Sequence, residues 1–173
     1  MLVRGWVLAL TGKASDSIHT LVSGILAWRS RGSTAFLPLF LSHLASVNAE
    51  LARFDDAWRC IDEATAAVET TNERWCEAEL NRIAGTIALK SPEPDAAKAE
   101  AYFERALAIA RKQQAKSWEL RASMSMGRLW RDQGKVQQAR ELLAPVYGWF
   151  TEGFDTRDLK EAKALLDDLA KLY

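Results

Sequence analysis

The chain has 173 residues, 49% of them hydrophobic and 27% charged, which is enough to bury a core as one domain and too apolar for intrinsic disorder. Lysine plus arginine equals aspartate plus glutamate at 23 each, so no global field draws the protein to nucleic acid or to an anionic membrane, and neither is expected as a partner. The two cysteines, Cys60 and Cys76, make no disulfide framework, and the reducing cytoplasm is the expected compartment.

From the N-terminus, Met1 to Gly12 contains one arginine and a short apolar run. Its apolar centre, Gly5 to Leu10, is too short for a secretory signal, and no later stretch approaches the roughly 20 apolar residues of a membrane span. A repeat register claims the segment for a helix instead. Gly5, Ala45, Gly85 and Gly127 form one column of that register, and Ser17, Ala57, Ala99 and Ala139 a second. Leu21, Ile61, Phe103 and Leu143 form a third, and Gly24, Ala64, Ala106 and Val146 a fourth. Twelve residues separate the first column from the second and twenty-eight lead on to the next unit, with a two-residue excess only between Gly85 and Ala99. Repetition at about forty residues predicts stacked supersecondary units, each burying a face on its neighbour.

The unit from Leu41 to Glu69 shows what each copy is. Leu44, Ala45, Asn48 and Ala52 fall at helical spacing before a tight turn near Arg53, and Phe54, Ala57, Ile61 and Ala64 after it, which predicts a helix hairpin. Small residues are needed where backbones approach, so Ala45 and Ala57 are expected to face each other across the pair and Ala64 to meet the next unit. Gly32 and Asn72 share the register position that ends a second helix, and both tolerate a left-handed cap; Gln114 stands there in the next unit and weakens the pattern. In Ser91-Pro92-Glu93-Pro94-Asp95 the prolines stop one helix and Asp95 can cap the next. Past Phe150 the register ends. Thr151 to Asp155 reads as a loop, Thr156 or Asp155 as an N-cap, and Leu159, Ala162, Leu165, Leu166 and Leu169 as one face of a terminal helix.

The pattern of a small residue, then Gly-x-apolar-x-x-Ala-x-x-x-apolar-x-x-Ala, resembles the tetratricopeptide repeat. Gly127, Trp130, Gly134, Val136, Ala139 and Leu143 carry it best, and Gly5, Leu8, Gly12, Ser17, Leu21 and Gly24 carry it in the first unit. That family has a period of 34; the extra six residues here lie between the second helix and the next first helix, about 1.7 turns of added length. Leu120-Arg121-Ala122, the run from Arg128 to Gly134, and the run from Leu143 to Thr156 continuing through Leu159 to Lys163 resemble the C-terminal end of large bacterial signalling proteins. Those proteins join a class III adenylate or guanylate cyclase domain to a predicted ATPase and a tail of such repeats. The resemblance implies that the chain is a piece of a longer protein whose catalytic parts lie upstream; no cyclase metal-binding aspartate or ATPase phosphate loop maps onto a position here.

The expected architecture is therefore all-α: a single right-handed α-solenoid of antiparallel helix hairpins over 1–173, with roughly nine helices. It would hold a partial repeat at 1–32, repeats at 33–72, 73–114 and 115–150, and a capping helix at 156–172.

Chemistry has little purchase. Thr11-Gly12-Lys13 is the nearest approach to a phosphate loop and falls in an inter-helix turn of the register. His19, His43, Cys60 and Cys76 lack the close pair spacing of a zinc set, so no metal and no cofactor is expected. Two histidines without a supporting motif assemble no nucleophile and base, and the chain is not expected to be an enzyme. Asp55 and Asp56 suit the positive end of a helix dipole. Trp58 and Trp130 sit at packing positions, and Trp149, Phe150 and Phe154 are placed to seat the terminal helix or to dock a neighbouring subunit.

The one uneven feature is charge. Between Arg111 and Arg140 eight basic residues stand against Glu119 and Asp132. With first helices lining a concave face, Arg121, Met124, Arg128 and Arg131 would point into a groove, preceded by Glu79, Arg82 and Thr86, and before those by Ser42, Ser46 and Glu50. Such a groove suits an acidic peptide or a C-terminal carboxylate held by arginine forks. The competing reading is a solvated helix face with local pairs such as Arg128 with Asp132. The expected function is a non-catalytic protein-interaction or regulatory module; the alternative is a structural spacer or homodimerisation segment without a specific ligand.

Overall fold

A computed structural model describes residues 14–32 and 34–172, with side chains described from Ser17 onward. Gly5, Leu8, Gly12, the Thr11-Gly12-Lys13 turn and the expected first helix from Met1 lie outside the described residues. Eight α-helices follow: α1 Ala14–Arg29, α2 Leu37–Glu50, α3 Phe54–Thr71, α4 Glu77–Lys90, α5 Ala96–Lys112, α6 Lys116–Asp132, α7 Val136–Gly148 and α8 Arg157–Lys171, with a 3-10 turn at Arg74–Cys76 leading into α4. The described residues contain no strand. Each helix packs on the next, most extensively α2 on α3 and α4 on α5; α2, α4, α6 and α8 also pack in succession, while α3 and α5 meet through Trp58, whose ring lies 6.0 Å from that of Tyr102.

The register columns are the points of closest approach. Ser17, Leu21, Ala45, Ala57, Ala64, Ala99, Ala106, Ala139 and Leu143 are each 0% exposed. The first column shows why its side chains must be small. A Cβ on Gly85 would lie 2.5 Å from Phe103 Cε1 and 3.0 Å from the Ala99 carbonyl oxygen. At Gly127 the nearest atom to a Cβ would be Leu165 Cδ2 at 3.5 Å, an ordinary contact. The third column explains the contrast. It is aromatic only at Phe103, and the ring fills the space a Cβ at position 85 would need; where the first column is Ala45, the third is the smaller Ile61.

Helix ends repeat as faithfully. Gly32, Asn72 and Gln114 adopt φ of 69°, 57° and 54°, so the position holds its left-handed geometry even where glutamine occupies it. Backbone bonding imposes this: Ala115 N–H donates to Ala110 O at 2.9 Å and Gln114 N–H to Arg111 O at 3.1 Å, the double closure of a Schellman cap. The turns inside hairpins do the same, with Ala52 at φ 56° and Gly134 at φ 77°, closed by Arg53 N–H to Asn48 O and Lys135 N–H to Trp130 O, each 2.8 Å. Ser91 to Asp95 is the long turn, and the Asp95 carboxylate accepts from Lys98 N–H at 2.8 Å to cap α5. Thr156 takes the N-cap position of α8, but its hydroxyl donates to Gly153 O at 2.7 Å and does not cap.

Behind α8, Leu159, Ala162, Leu165 and Leu169 are buried against Leu120, Met124, Leu143 and Val146, with Phe150 and Leu166 packed at the edge. Trp149 and Phe154 remain about half exposed, at 58% and 47%, so of the three aromatics Phe150 seats the helix most deeply. Trp130 is half buried and donates its indole N–H to Glu100 Oε1 at 2.7 Å.

Two sets of substitutions test these constraints by chemical unfolding. Gly85→Ala is expected to cost about 1–3 kcal/mol by overpacking Phe103, while Gly127→Ala gains about 0.5–1 kcal/mol by removing helical glycine. Gly85→Ala with Phe103→Leu should lose at least about 1 kcal/mol less than the sum of the single changes, a coupling expected of groups in contact. Ala52→Gly should stabilise by about 1 kcal/mol, because its left-handed backbone disfavours any Cβ.

Candidate functional site

Helices α2, α4, α6 and α8 build an open cavity of about 540 Å³. His43 and Ser46 come from α2, Glu79, Arg82 and Ile83 from α4, and Arg121, Met124, Ser125 and Arg128 from α6. The N-terminal end of α8 closes one side with Thr156, Arg157, Asp158 and Glu161. Of the residues the sequence pattern placed on the groove, Ser46, Glu79, Arg82, Arg121, Met124 and Arg128 line the cavity together, while Ser42, Glu50, Thr86 and Arg131 do not. Ser42 and Thr86 turn their hydroxyls back onto the carbonyls of Leu39 and Arg82, at 2.8 and 3.0 Å. Arg131 pairs with its neighbour Asp132 at 2.8 Å, and Glu50 is exposed.

The electrostatics begin with Glu79, whose side chain is 2% exposed. Arg82 meets it with a fork, Nε to Oε2 at 2.8 Å and Nη2 to Oε1 at 2.9 Å, and Arg121 Nη1 adds 3.3 Å to Oε1. Burial alone would push the carboxyl up, but the charge and hydrogen bonds of Arg82, with the charges of Arg121 and His43, outweigh it and hold Glu79 below its ordinary value. Arg121 continues to α8, with Nε 2.6 Å from Asp158 Oδ2, and lies over the Trp118 ring at 5.1 Å. Arg128 Nη2 reaches Glu161 Oε2 at 3.0 Å, and Arg157 Nε reaches the other oxygen at 2.7 Å. The partner of Arg128 is thus Glu161 on α8 and not Asp132 on its own helix.

Four guanidiniums face three carboxylates around the cavity, leaving one positive charge with His43 neutral. Burial drives His43 down from 6.5 to about 4; Glu79 opposes the shift and Arg121 and Arg82 add to it. The sequence reading missed Arg157, Asp158 and Glu161 because it assigned α8 only an apolar role. Their spacing places them on one helical face, and that much was available; their meeting with Arg121 and Arg128 depends on how α8 docks. His19 is exposed, whereas Cys60 and Cys76 are buried, and burial is the largest cause pushing their thiols up to about 11 and about 12, which keeps both as unreactive thiols near neutrality. Among the described residues no three His, Cys, Asp or Glu side chains are grouped to hold a metal ion, and no helix is long and apolar enough to cross a membrane.

The pH dependence follows from these shifts. A histidine whose folded value lies below its unfolded one stabilises the fold fully above about pH 6.5 and progressively less as pH falls toward about 4. Its full contribution is about 3 kcal/mol. The depressed carboxyl of Glu79 acts in the same direction, losing its contribution as pH falls further through its folded value. Urea unfolding between pH 6.5 and 4 should show falling stability, and His43→Gln should flatten that slope while leaving the lower carboxylate step in place.

Compared with models of known protein families and with curated proteins, the chain matches none of them.

Proposed function

We propose that the chain is a non-catalytic interaction module, a right-handed α-solenoid of tetratricopeptide-like hairpins whose concave face binds an acidic segment of a partner protein. The observation that carries this reading is the cavity of about 540 Å³ lined by Arg82, Arg121, Arg128 and Arg157. Arg82 and Arg121 are committed at two or three nitrogens each, whereas Arg128 is held at one Nη and Arg157 at its Nε, leaving further N–H donors of those two forks for a ligand carboxylate. Its single excess positive charge suits a carboxylate at a chain terminus or on an acidic side chain. On the resemblance in its second half, the module belongs to the cytoplasmic C-terminal tail of a larger bacterial signalling protein, with a nucleotidyl cyclase or ATPase upstream.

A specific observation also favours a second reading, that of a spacer or self-associating segment. The lining arginines already have carboxylate partners within the chain, so the network has a purely structural use. Fluorescence anisotropy with acidic peptides ending in a free carboxylate, against their amidated neutral twins, separates the two. The interaction module should bind the acidic set, and Arg128→Ala should weaken binding about tenfold, roughly 1.4 kcal/mol. Its stability should change by less than about 1 kcal/mol, since the Arg128–Glu161 pair is exposed. No binding, with a concentration-dependent dimer by light scattering, would leave the spacer reading standing.

A further inference from the structure

A second opening lies on the other face of α4. There Glu79, Arg82 and Ile83 are turned to the arginine cavity, whereas Glu77, Leu80, Asn81 and Ala84 line a groove of about 450 Å³ bounded by α3 and α5. Trp58 on α3 meets Tyr102 and Lys98 on α5, at 6.0 and 4.0 Å, and the groove opens between the two helices beside that contact. Half-buried Tyr102 gives it apolar surface, and its charges are Asp62, Glu69 and Glu77 against Arg74 and Arg105.

The repeat register shows what this groove lacks. Glu69, Arg74 and Glu77 correspond, 42 residues on, to Arg111, Lys116 and Glu119. In that later unit two cations close on one carboxylate: Arg111 Nε lies 3.0 Å from Glu119 Oε1 and Lys116 Nζ 2.7 Å from Oε2, and Glu119 is buried. One unit before the groove the same column holds Arg29, paired with Glu63. Only the middle unit has a carboxylate in that column. Arg74 Nη1 reaches Glu77 Oε2 at 3.4 Å, and among the described residues neither Asp62 nor Glu69 has an ion-pair partner. The groove keeps the anion of the clasp and reverses the charge of its second cation.

We propose that this outer groove docks an arginine-bearing segment of a partner protein, with the partner's guanidinium set between Glu69 and Glu77. It would there complete the clasp that Arg111 completes with Glu119 one repeat later. Arginine fits better than lysine because its fork engages two carboxylates in one plane and its flat face stacks on an aromatic ring such as Tyr102. The site lies apart from the concave cavity and does not depend on the function proposed for it.

The probe is a fluorescein-labelled, alanine-based helical peptide carrying leucine and arginine, beside twins with lysine or uncharged citrulline in place of arginine, read by anisotropy. The arginine peptide should bind at least about tenfold more tightly than the citrulline twin, and more tightly than the lysine twin. Glu69→Arg, which installs the residue of the flanking repeats, should abolish that preference while retaining the fold by circular dichroism. Glu104→Arg, an exposed carboxylate outside the groove, and Arg128→Ala, on the concave side, should each leave affinity within about twofold. Equal binding of the arginine and citrulline peptides would overturn the proposal. So would an undiminished preference in Glu69→Arg, or a loss in Glu104→Arg as large as in Glu69→Arg, which would mark general charge attraction.

Discussion

Two helix backbones approach closely only where no bulky side chain stands between them, and the rest of this molecule follows from where that condition is met. Ala45, Ala57, Ala64, Ala99, Ala106 and Ala139 are wholly enclosed. At Gly85 the closeness is extreme, because Phe103 lies where a methyl group would be. These contacts fix the rotation of each helix about its axis. With that rotation fixed, a residue three or four positions from a buried small residue is committed to a face, and the charged residues of α4 and α6 are delivered to the same cavity.

A buried carboxylate is costly unless it is paired and hydrogen-bonded. Glu79 meets the condition through Arg82 on its own helix and Arg121 on the next inner one, and Arg121 extends the chain of charge to Asp158 on α8. The network links three helices that are far apart in sequence, so the orientation of α8 is held by polar contacts on one side and by Leu159, Leu165 and Leu169 on the other. Apolar burial supplies the driving force, and the ion pairs add directional constraint. Burial above all leaves His43 neutral beside this network, with Arg121 and Arg82 adding to the shift and Glu79 opposing it.

The repeats are alike in backbone and unlike in charge. At the end of each second helix the left-handed turn recurs at Gly32, Asn72 and Gln114, but the column one turn before it reads Arg29, Glu69 and Arg111. A backbone constraint tolerates almost any side chain that points to solvent, so such columns are where copies of one unit are free to diverge. The inner cavity and the outer groove both arise from this freedom, the first by collecting arginines from successive units and the second by reversing one charge.

Sequence alone determined the helical class, the hairpin turns, the small columns and the terminal helix with its apolar face. All of these are local or periodic: they depend on side-chain size, on proline and glycine, and on spacing along one helix. Six of the ten residues placed on a groove by helical spacing do share one cavity, because inner-helix faces follow from the same period. Ser42 and Thr86 fall outside it because a short hydroxyl prefers the carbonyl of its own helix, and Arg131 because an adjacent aspartate claims it. What only the tertiary structure decided is which charges meet. Asp158 and Arg121 are 37 residues apart, and no pattern within a helix encodes their contact; it follows from the angle at which α8 settles on α6 and α7, which is set by the packing of many apolar side chains at once.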